Sequence, residues 1–275
     1  MVPQQIQLLL IEDSASDARQ ICAMLSYAKF AKFNVVRAVT AAEGVACLKK
    51  GEYDIILMDL ALPDSEDLDA FFDVHTLASK TPVVIACGLH NEELALKAVQ
   101  QGAQDYVIKN YLDGDLLART IRNAIERKRT QDALQDQTTI LQSILNSIAD
   151  GVIVANDEGE WILINPAARR IFGYEPEKFP QQSWADQHEL FLPDGLTPYP
   201  AEDLPLMRAR RGETVKEQEV FIRHSQIPEG VIVSVNATPL VDENQQVIGG
   251  VAVFRDVTMR RLAEEQIRQL RAVLE

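Results

Sequence analysis

Five short apolar runs, at residues 6–11, 33–39, 53–59, 82–87 and 105–108, alternate with segments of helical period. The first such segment, 16–29, carries Ile21, Leu25 and Ala28 on one stripe. The second, 41–50, is closed by Gly51, the third spans 67–79, and the fourth, 92–101, stops at Gly102. Asp113 or Asp115 can cap a fifth helix. Strand and helix in strict alternation leave few folds open: a parallel sheet with helices on both faces. Run 82–87 is apolar throughout, as a strand covered on both sides must be. A doubly wound, five-stranded parallel α/β domain is therefore expected.

The fifth helix has no stop signal where a domain helix would end. Residues 115–149 contain neither Pro nor Gly; at ~1.5 Å per residue they would reach roughly 50 Å. Leu134, Leu141 and Ile148 recur every seven residues, with Ile144 and Leu145 between them, while 127–131 is polar. This pattern predicts a long linker helix with a two-stranded coiled-coil seam.

At Asp150-Gly151 the period changes to two. Strands are expected at 152–155 and 161–165, flanking Asn156-Asp157-Glu158-Gly159. Short helical pieces and Pro-rich loop fill 166–211. Three longer strands follow at 215–224, 231–240 and 247–257, and then a helix from Thr258 with Ala263, Ile267, Leu270 and Leu274 on one stripe. The expected division is a first domain over 1–125, a helical linker over 126–149, an antiparallel α+β domain over 150–258 and a terminal helix over 259–275. Ending inside a helix points to a partner or an output domain beyond it.

Composition narrows the function classes. A net charge of −14, spread along the chain, offers no basic field for a phosphate backbone, so nucleic-acid binding is not expected. No apolar run approaches the ~20 residues of a membrane span, and no basic segment precedes Leu8, so neither membrane insertion nor a signal peptide is expected. The cysteines, Cys22, Cys47 and Cys87, are odd in number and lack metal-type spacing, which fits a reducing, cytoplasmic setting. Cys22 and Cys47 read as small core residues.

Acids collect where a doubly wound sheet binds ligands, beyond strand carboxyl ends at the reversal of strand order. Glu12 and Asp13 end the first strand and Asp59 the third, neighbours in the order 2-1-3-4-5. Two such charges ~4 Å apart repel by roughly 4 kcal/mol at an effective dielectric of 20. A hard divalent cation with oxygen ligands removes that cost, and Mg²⁺ is the natural choice. Lys109, ending the fifth strand, adds a cation to the same rim.

The segments LLLIEDS (8–14), IILMDLALPD (55–64), PVVIACG (82–88) and GAQDYVIKN (102–110) resemble the response-regulator receiver family of two-component signalling across residues 5–125. The resemblance implies a phosphoryl group accepted on Asp59 from a histidine kinase or phosphotransfer protein. It implies Mg²⁺ held by Glu12, Asp13, Asp59 and the backbone carbonyl of Ala61. Lys109 would bind phosphoryl oxygens, and Tyr106 would be the aromatic switch. Cys87 stands where the family has Thr or Ser as phosphoryl-binding switch residue, and a thiol is the weaker donor. Asn110 stands where a Pro commonly supports a cis bond, so weakened coupling to Tyr106 is expected.

Residues 138–258 resemble the PAS family through DGVIVANDEGEWILINPAARRIFGY (150–174) and VIGGVAVFRDVT (247–258). The Asn165-Pro166-Ala167 step and Phe172-Gly173-Tyr174 carry the likeness, and Asp256 and Thr258 match its signal-transmitting terminal motif. The family's five-stranded sheet can hold a ligand. Flavin adduct chemistry needs a cysteine, and none follows Cys87. His188 and His224 are the available haem ligands, and both read as surface residues. Trp161 and Trp184 read as core or pocket lining. The ligand is unnamed by the sequence, and an empty PAS fold that dimerises through linker and terminal helices is the default.

These readings make the chain a phosphorelay protein with no output catalysis of its own. The alternative is the sensory front of a larger hybrid histidine kinase or diguanylate cyclase. A haloacid-dehalogenase type hydrolase would want an Asp two positions after Asp59, where Ala61 stands.

Overall fold

Strand β1 (Gln4–Ile11) alternates between two cores: Leu8 and Leu10 face one apolar cluster, Leu9 and Ile11 the other. It pairs in parallel with β2 (Ala31–Ala38) and β3 (Ile55–Asp59), and β4 (Val83–Cys87) and β5 (Asp105–Ile108) complete the order β2-β1-β3-β4-β5. Every residue of β3 and β4 is buried, as strands covered on both faces require, Asp59 at the end of β3 included. The computed structural model describes residues 4–28, 31–172, 190–224 and 227–274. They divide into two compact units, Met1–Thr138 and Thr139–Glu275.

Helices cover both faces of the first sheet. Phe71 and Val74 of α3 (Asp69–Leu77) join one cluster, with residues of α2 (Ala41–Leu48) and α4 (Glu92–Gln100). Ile21 and Leu25 of α1 (Ala15–Ser26) join the other, with Leu117 and Ile121 of α5 (Gly114–Ser147). The caps are legible in the sequence. Thr40 Oγ1 accepts from Glu43 N at the start of α2, and Glu43 Oε2 accepts from the N–H of Val39, one residue before the cap. Asp113 Oδ1 accepts from Leu116 N at the start of α5. After α4, Gly102 takes φ +115°, a conformation an L side chain resists. Cys22 corrects its expectation: it is exposed, because it follows Ile21 by a ~100° turn on a helix whose buried face is Ala18, Ile21 and Leu25. Cys47 is half-buried.

Helix α5 runs for 34 residues, as the missing stop signals predict. Its buried positions end at Ile125, and Leu134, Ile140, Leu141 and Ile144 beyond it are exposed.

In the second unit, β6 (Gly151–Asn156), β7 (Trp161–Ile164), β8 (Leu190–Phe191), β9 (Val215–His224), β10 (Ile227–Val241) and β11 (Val247–Asp256) form an antiparallel sheet in the order β7-β6-β11-β10-β9-β8. The sheet has six strands where five were expected. The extra one, β8, is two residues long, too short to show alternation, and lies in the stretch read as loop and helical pieces. Ile153, Val220, Ile222, Val233, Val235 and Ala252 build the core, with Phe172 of α6 (Pro166–Phe172) set edge-on to Phe254 at 5.4 Å. Leu206 of α7 (Pro205–Arg210) joins them, and Trp161 packs against the cluster half-buried. Helix α8 (Thr258–Leu274) closes the described chain, with Leu262, Ile267 and Leu270 exposed.

Asn165 fastens the entry to this unit. Its Oδ1 accepts from the backbone N–H of Val152 and of Ala168, and its Nδ2 donates to the carbonyls of Leu145 and Asp150. A 2 % exposed amide thus makes four hydrogen bonds. His224 corrects its surface reading: it follows Val220 and Ile222 at period two, is buried, and sets Nε2 3.3 Å from the carbonyl of Ile171. His188, Trp184, Gly173 and Tyr174 lie outside the described residues. No helix among the described residues is long and apolar enough to cross a membrane.

Candidate functional site

The parallel register brings the first two acids to the third. Ile11 lies opposite Met58 on adjacent strands, so Glu12 leaves β1 beside Asp59 at the end of β3. Glu12 is fully buried, Asp59 is 5 % exposed, and Asp13 is exposed. One ligand oxygen from each lies within 4.8 Å of the others. The loop is braced from two directions. Ser14 N donates to Glu12 Oε1 at 3.1 Å, and Arg37, near the end of β2, donates to the carbonyls of Glu12 (3.1 Å) and Asp13 (2.7 Å).

Lys109 follows β5 and reaches across the sheet edge. Its Nζ lies 2.6 Å from Glu12 Oε2, 2.7 Å from Asp59 Oδ2 and 3.2 Å from Asp17 Oδ2. Burial opposes its charge, but the carboxylates of Asp59 and Glu12 outweigh that and hold its pKa above the ordinary lysine value. Burial pushes the Glu12 carboxyl up despite the ammonium beside it. Glu12 Oε2 meets Lys109 as an ion pair without an aligned hydrogen bond. Three carboxylates with one oxygen each within 4.8 Å of the others form an all-oxygen donor set, which fits a hard cation such as Mg²⁺.

Ala61 N donates to Asp59 Oδ1 at 3.2 Å, which places Ala61 beside the acid whose ligand set its carbonyl is expected to join. Asp59, Ala61, Gly88, Lys109 and Asn110 line an open cleft of about 500 Å³, together with Asp17. Cys87 ends β4 with no exposed surface, and burial, then the charge of Asp59, pushes its thiol pKa up. Tyr106 is half-buried on β5, and its hydroxyl donates to Glu92 Oε1 at 3.2 Å at the start of α4, which raises the phenol pKa. No cis peptide occurs among the described residues, the Lys109–Asn110 bond included.

At the far end of the second unit, Asp256 Oδ1 accepts from Thr258 N at 2.8 Å, and Thr258 Oγ1 accepts from Ile232 N at 2.9 Å. The two residues fix the turn from β11 into α8. Sequence reasoning brought Glu12, Asp13, Asp59, Ala61 and Lys109 to one rim, and they meet there. It missed Arg37, Asp17 and Glu92. Arg37 could have been found by extending the β1–β2 register, in which Ile11 faces Ala38.

Comparison with known proteins agrees with this geometry. Residues 8–121 match the model of the response regulator receiver domain and 145–262 that of the PAS fold. The cell cycle transcriptional regulator CtrA of Caulobacter vibrioides is 30 % identical over 170 residues, covering 62 % of this chain and 67 % of that protein. The cell cycle response regulator CtrA of Brucella abortus is 34 % identical over 150 residues, 54 % of this chain, which spans 62 % of that relative's length. Among solved structures, a response regulator receiver domain protein from Clostridium thermocellum aligns with TM-score 0.41 and 23 % identity over 46 % of this chain and 98 % of its own.

Proposed function

Because this chain belongs to the response-regulator receiver family and carries a PAS-fold domain behind its receiver, we propose that it relays signals by accepting a phosphoryl group on Asp59. The donor is a histidine kinase or a phosphotransfer protein. The observation that carries this reading is the Asp59 carboxylate at a strand end, 2.7 Å from Lys109 and within 4.8 Å of Glu12 and Asp13 ligand oxygens. The division is a receiver over 1–125, a linker over 126–149, a PAS domain over 150–258 and a signalling helix over 259–275, in the cytoplasm.

Glu12, Asp13, Asp59 and the carbonyl of Ala61 are the residues that would hold Mg²⁺. When bound, the ion supplies positive charge against phosphoryl oxygens and carboxylates alike. Asp59 attacks phosphorus with a carboxylate oxygen, the donor's imidazole nitrogen leaves with the bonding pair, and an acyl phosphate results. Lys109 turns its ammonium from Asp59 to the new phosphoryl oxygens. Arg37 keeps the Glu12-Asp13 backbone in place through the transfer. Cys87 and Tyr106 pass on the change, weakly, because a buried thiol is a poor donor to the phosphoryl group. The Tyr106–Glu92 hydrogen bond is what that change must break.

From there the signal follows α5. Its exposed Leu134, Ile140, Leu141 and Ile144 suit a second copy of the chain, as do Leu262, Ile267 and Leu270 of α8, so the working form is a homodimer through both helices. Asp256 and Thr258 transmit the state of the PAS sheet into α8. The apolar cavity among the described residues of that domain, lined by Phe172, Leu190, Val233 and Phe254 among others, is about 20 Å³, room for a single water. Incubation with acetyl phosphate and Mg²⁺, read by intact mass, tests the proposal. Wild type should gain one phosphoryl group and Asp59→Asn none; a wild type that stays unlabelled sinks it.

A further inference from the structure

Lys109 has three carboxylate partners, and phosphoryl transfer calls for only two of them. The third, Asp17, stands in the first turn of α1 with Oδ2 3.2 Å from Nζ. Its seat is built: Asp17 N donates to Ser14 Oγ at 3.3 Å, and Ser16 Oγ donates to Asp17 Oδ1 at 3.2 Å. Unlike Glu12, which is fully buried, Asp17 has a side chain 38 % exposed and lines the open cleft shared with Asp59 and Ala61. It therefore stands at the mouth by which a phosphoryl donor reaches Asp59.

A phosphoryl group carries negative charge into this mouth and needs the Lys109 ammonium. Glu12 and Asp59 can give up that ammonium, since they are also placed to ligate the metal. Asp17 is outside the cluster of metal-type ligands, so a cation bound there would not replace Lys109 as its ion-pair partner. Resting on the acceptor reading above, we propose that Asp17 is a positioning residue that competes with the incoming phosphoryl group for Lys109. It acts as a brake on phosphoryl uptake at Asp59.

The test uses the full chain with Mg²⁺ and acetyl phosphate. In that reaction a bond forms from an Asp59 oxygen to phosphorus, the bond from phosphorus to the acetate oxygen breaks, and acetate leaves with the pair. The second-order rate constant of uptake is measured at several KCl concentrations. Asp17→Asn should raise it about two- to fivefold at low ionic strength, the range of an exposed ion pair, and the gap should close as salt screens the charge. Asp17→Glu should restore wild-type rates and salt dependence, which a purely structural role of Asp17 would not require. Should Asp17→Asn fold poorly by circular dichroism, Asp17→Ser carries the same comparison. Uptake by the neutral variant equal to or slower than wild type overturns the brake, as does a loss of Mg²⁺ affinity by calorimetry. An unlabelled wild type would instead remove the acceptor reading beneath it.

Discussion

Arg255 grips Asp150 across the mouth of the second unit: Nε lies 3.2 and 3.1 Å from the two carboxylate oxygens, and Nη2 lies 2.7 Å from Oδ2. Asp150 follows the end of α5 and Arg255 directly precedes Asp256, so one forked ion pair joins the chain's entry into the PAS domain to its exit. Bidentate geometry gives such a pair directional hold that a surface lysine would lack. Replacing Arg255 by Gln should speed amide hydrogen exchange in the first turn of α8 while leaving the core strands β9 and β10 protected. Unchanged exchange at residues 258–262 would show that the pair restrains nothing.

Asn165 offers a sharper lesion. Asn165→Ala strands two backbone N–H groups and two carbonyls in a buried site, and should cost roughly 3 kcal/mol in denaturant unfolding of the PAS domain. Asn165→Asp keeps both acceptor bonds and loses both donors, so it should disturb the end of α5 more than β6. Chemical shifts at Leu145 and Val152 would separate the two effects.

Removing the ammonium at the acidic rim should matter most when no metal is present. In EDTA, Lys109→Met should lower receiver stability by about 3 kcal/mol, since Glu12 and Asp59 lose their counter-charge, and added Mg²⁺ should recover much of it. The pH dependence has a definite sign. The pKa of Lys109 is raised on folding, so its contribution is complete below the unfolded value of about 10.4 and fades as pH climbs through the folded one. Wild type and Lys109→Met should therefore differ undiminished up to about pH 10.4 and draw together only above it, as urea titrations would reveal.

Asp64 behaves in the opposite sense. Its carboxylate accepts from the N–H groups of Ala42 and Ala41 at 3.0 Å each, at the start of α2, and these bonds hold its pKa below the ordinary aspartate value. The stability it adds is present above about pH 3.9 and is lost as pH falls through the folded value. Asp64→Ala should cost up to about 1 kcal/mol at about pH 7, the usual size of a helix cap, and less at about pH 3. Thermal melts at the two pH values would decide it.

The thiols should sort by place. Iodoacetamide at pH 8 should label exposed Cys22 first and spare Cys87 in the native state, because Cys87 has no exposed surface and its thiol is pushed up by burial. Cys87→Thr restores a hydroxyl donor and should strengthen the phosphorylation-dependent change at Tyr106, seen in its ring resonances. If those resonances respond alike in both proteins, the thiol is no handicap.

The receiver fold was legible because its strands are apolar on both faces and its helices end at marked residues. A run such as 82–87 admits few structures, and Gly102 announces its own conformation. The acidic rim was legible for a related reason: strand ends fix where Glu12, Asp59 and Lys109 emerge, whatever their rotamers. Side-chain partners across the sheet were not legible. Arg37 and Asp17 reach the site from β2 and α1; Arg37 becomes a neighbour of Glu12 only through the β1–β2 register, and nothing in the sequence around Asp17 marks it as a neighbour of Lys109. Cys22 was misplaced because one step around a helix separates core from solvent, and composition cannot see that step. His224 was misplaced because its polarity outweighed the period-two pattern of Val220 and Ile222. The two residues of β8 carry too little pattern to be seen.

The triple grip on Lys109 bears on the order of events in the life of the chain. A newly made receiver carries its own counter-ion and can assemble its acidic rim without waiting for magnesium, unlike small domains that stay unfolded until metal arrives. Were the rim to take up Mg²⁺ as proposed, metal loading would be a late, reversible step laid over a finished scaffold, and a cell short of magnesium would hold a folded but silent receiver, ready to respond once the ion returned.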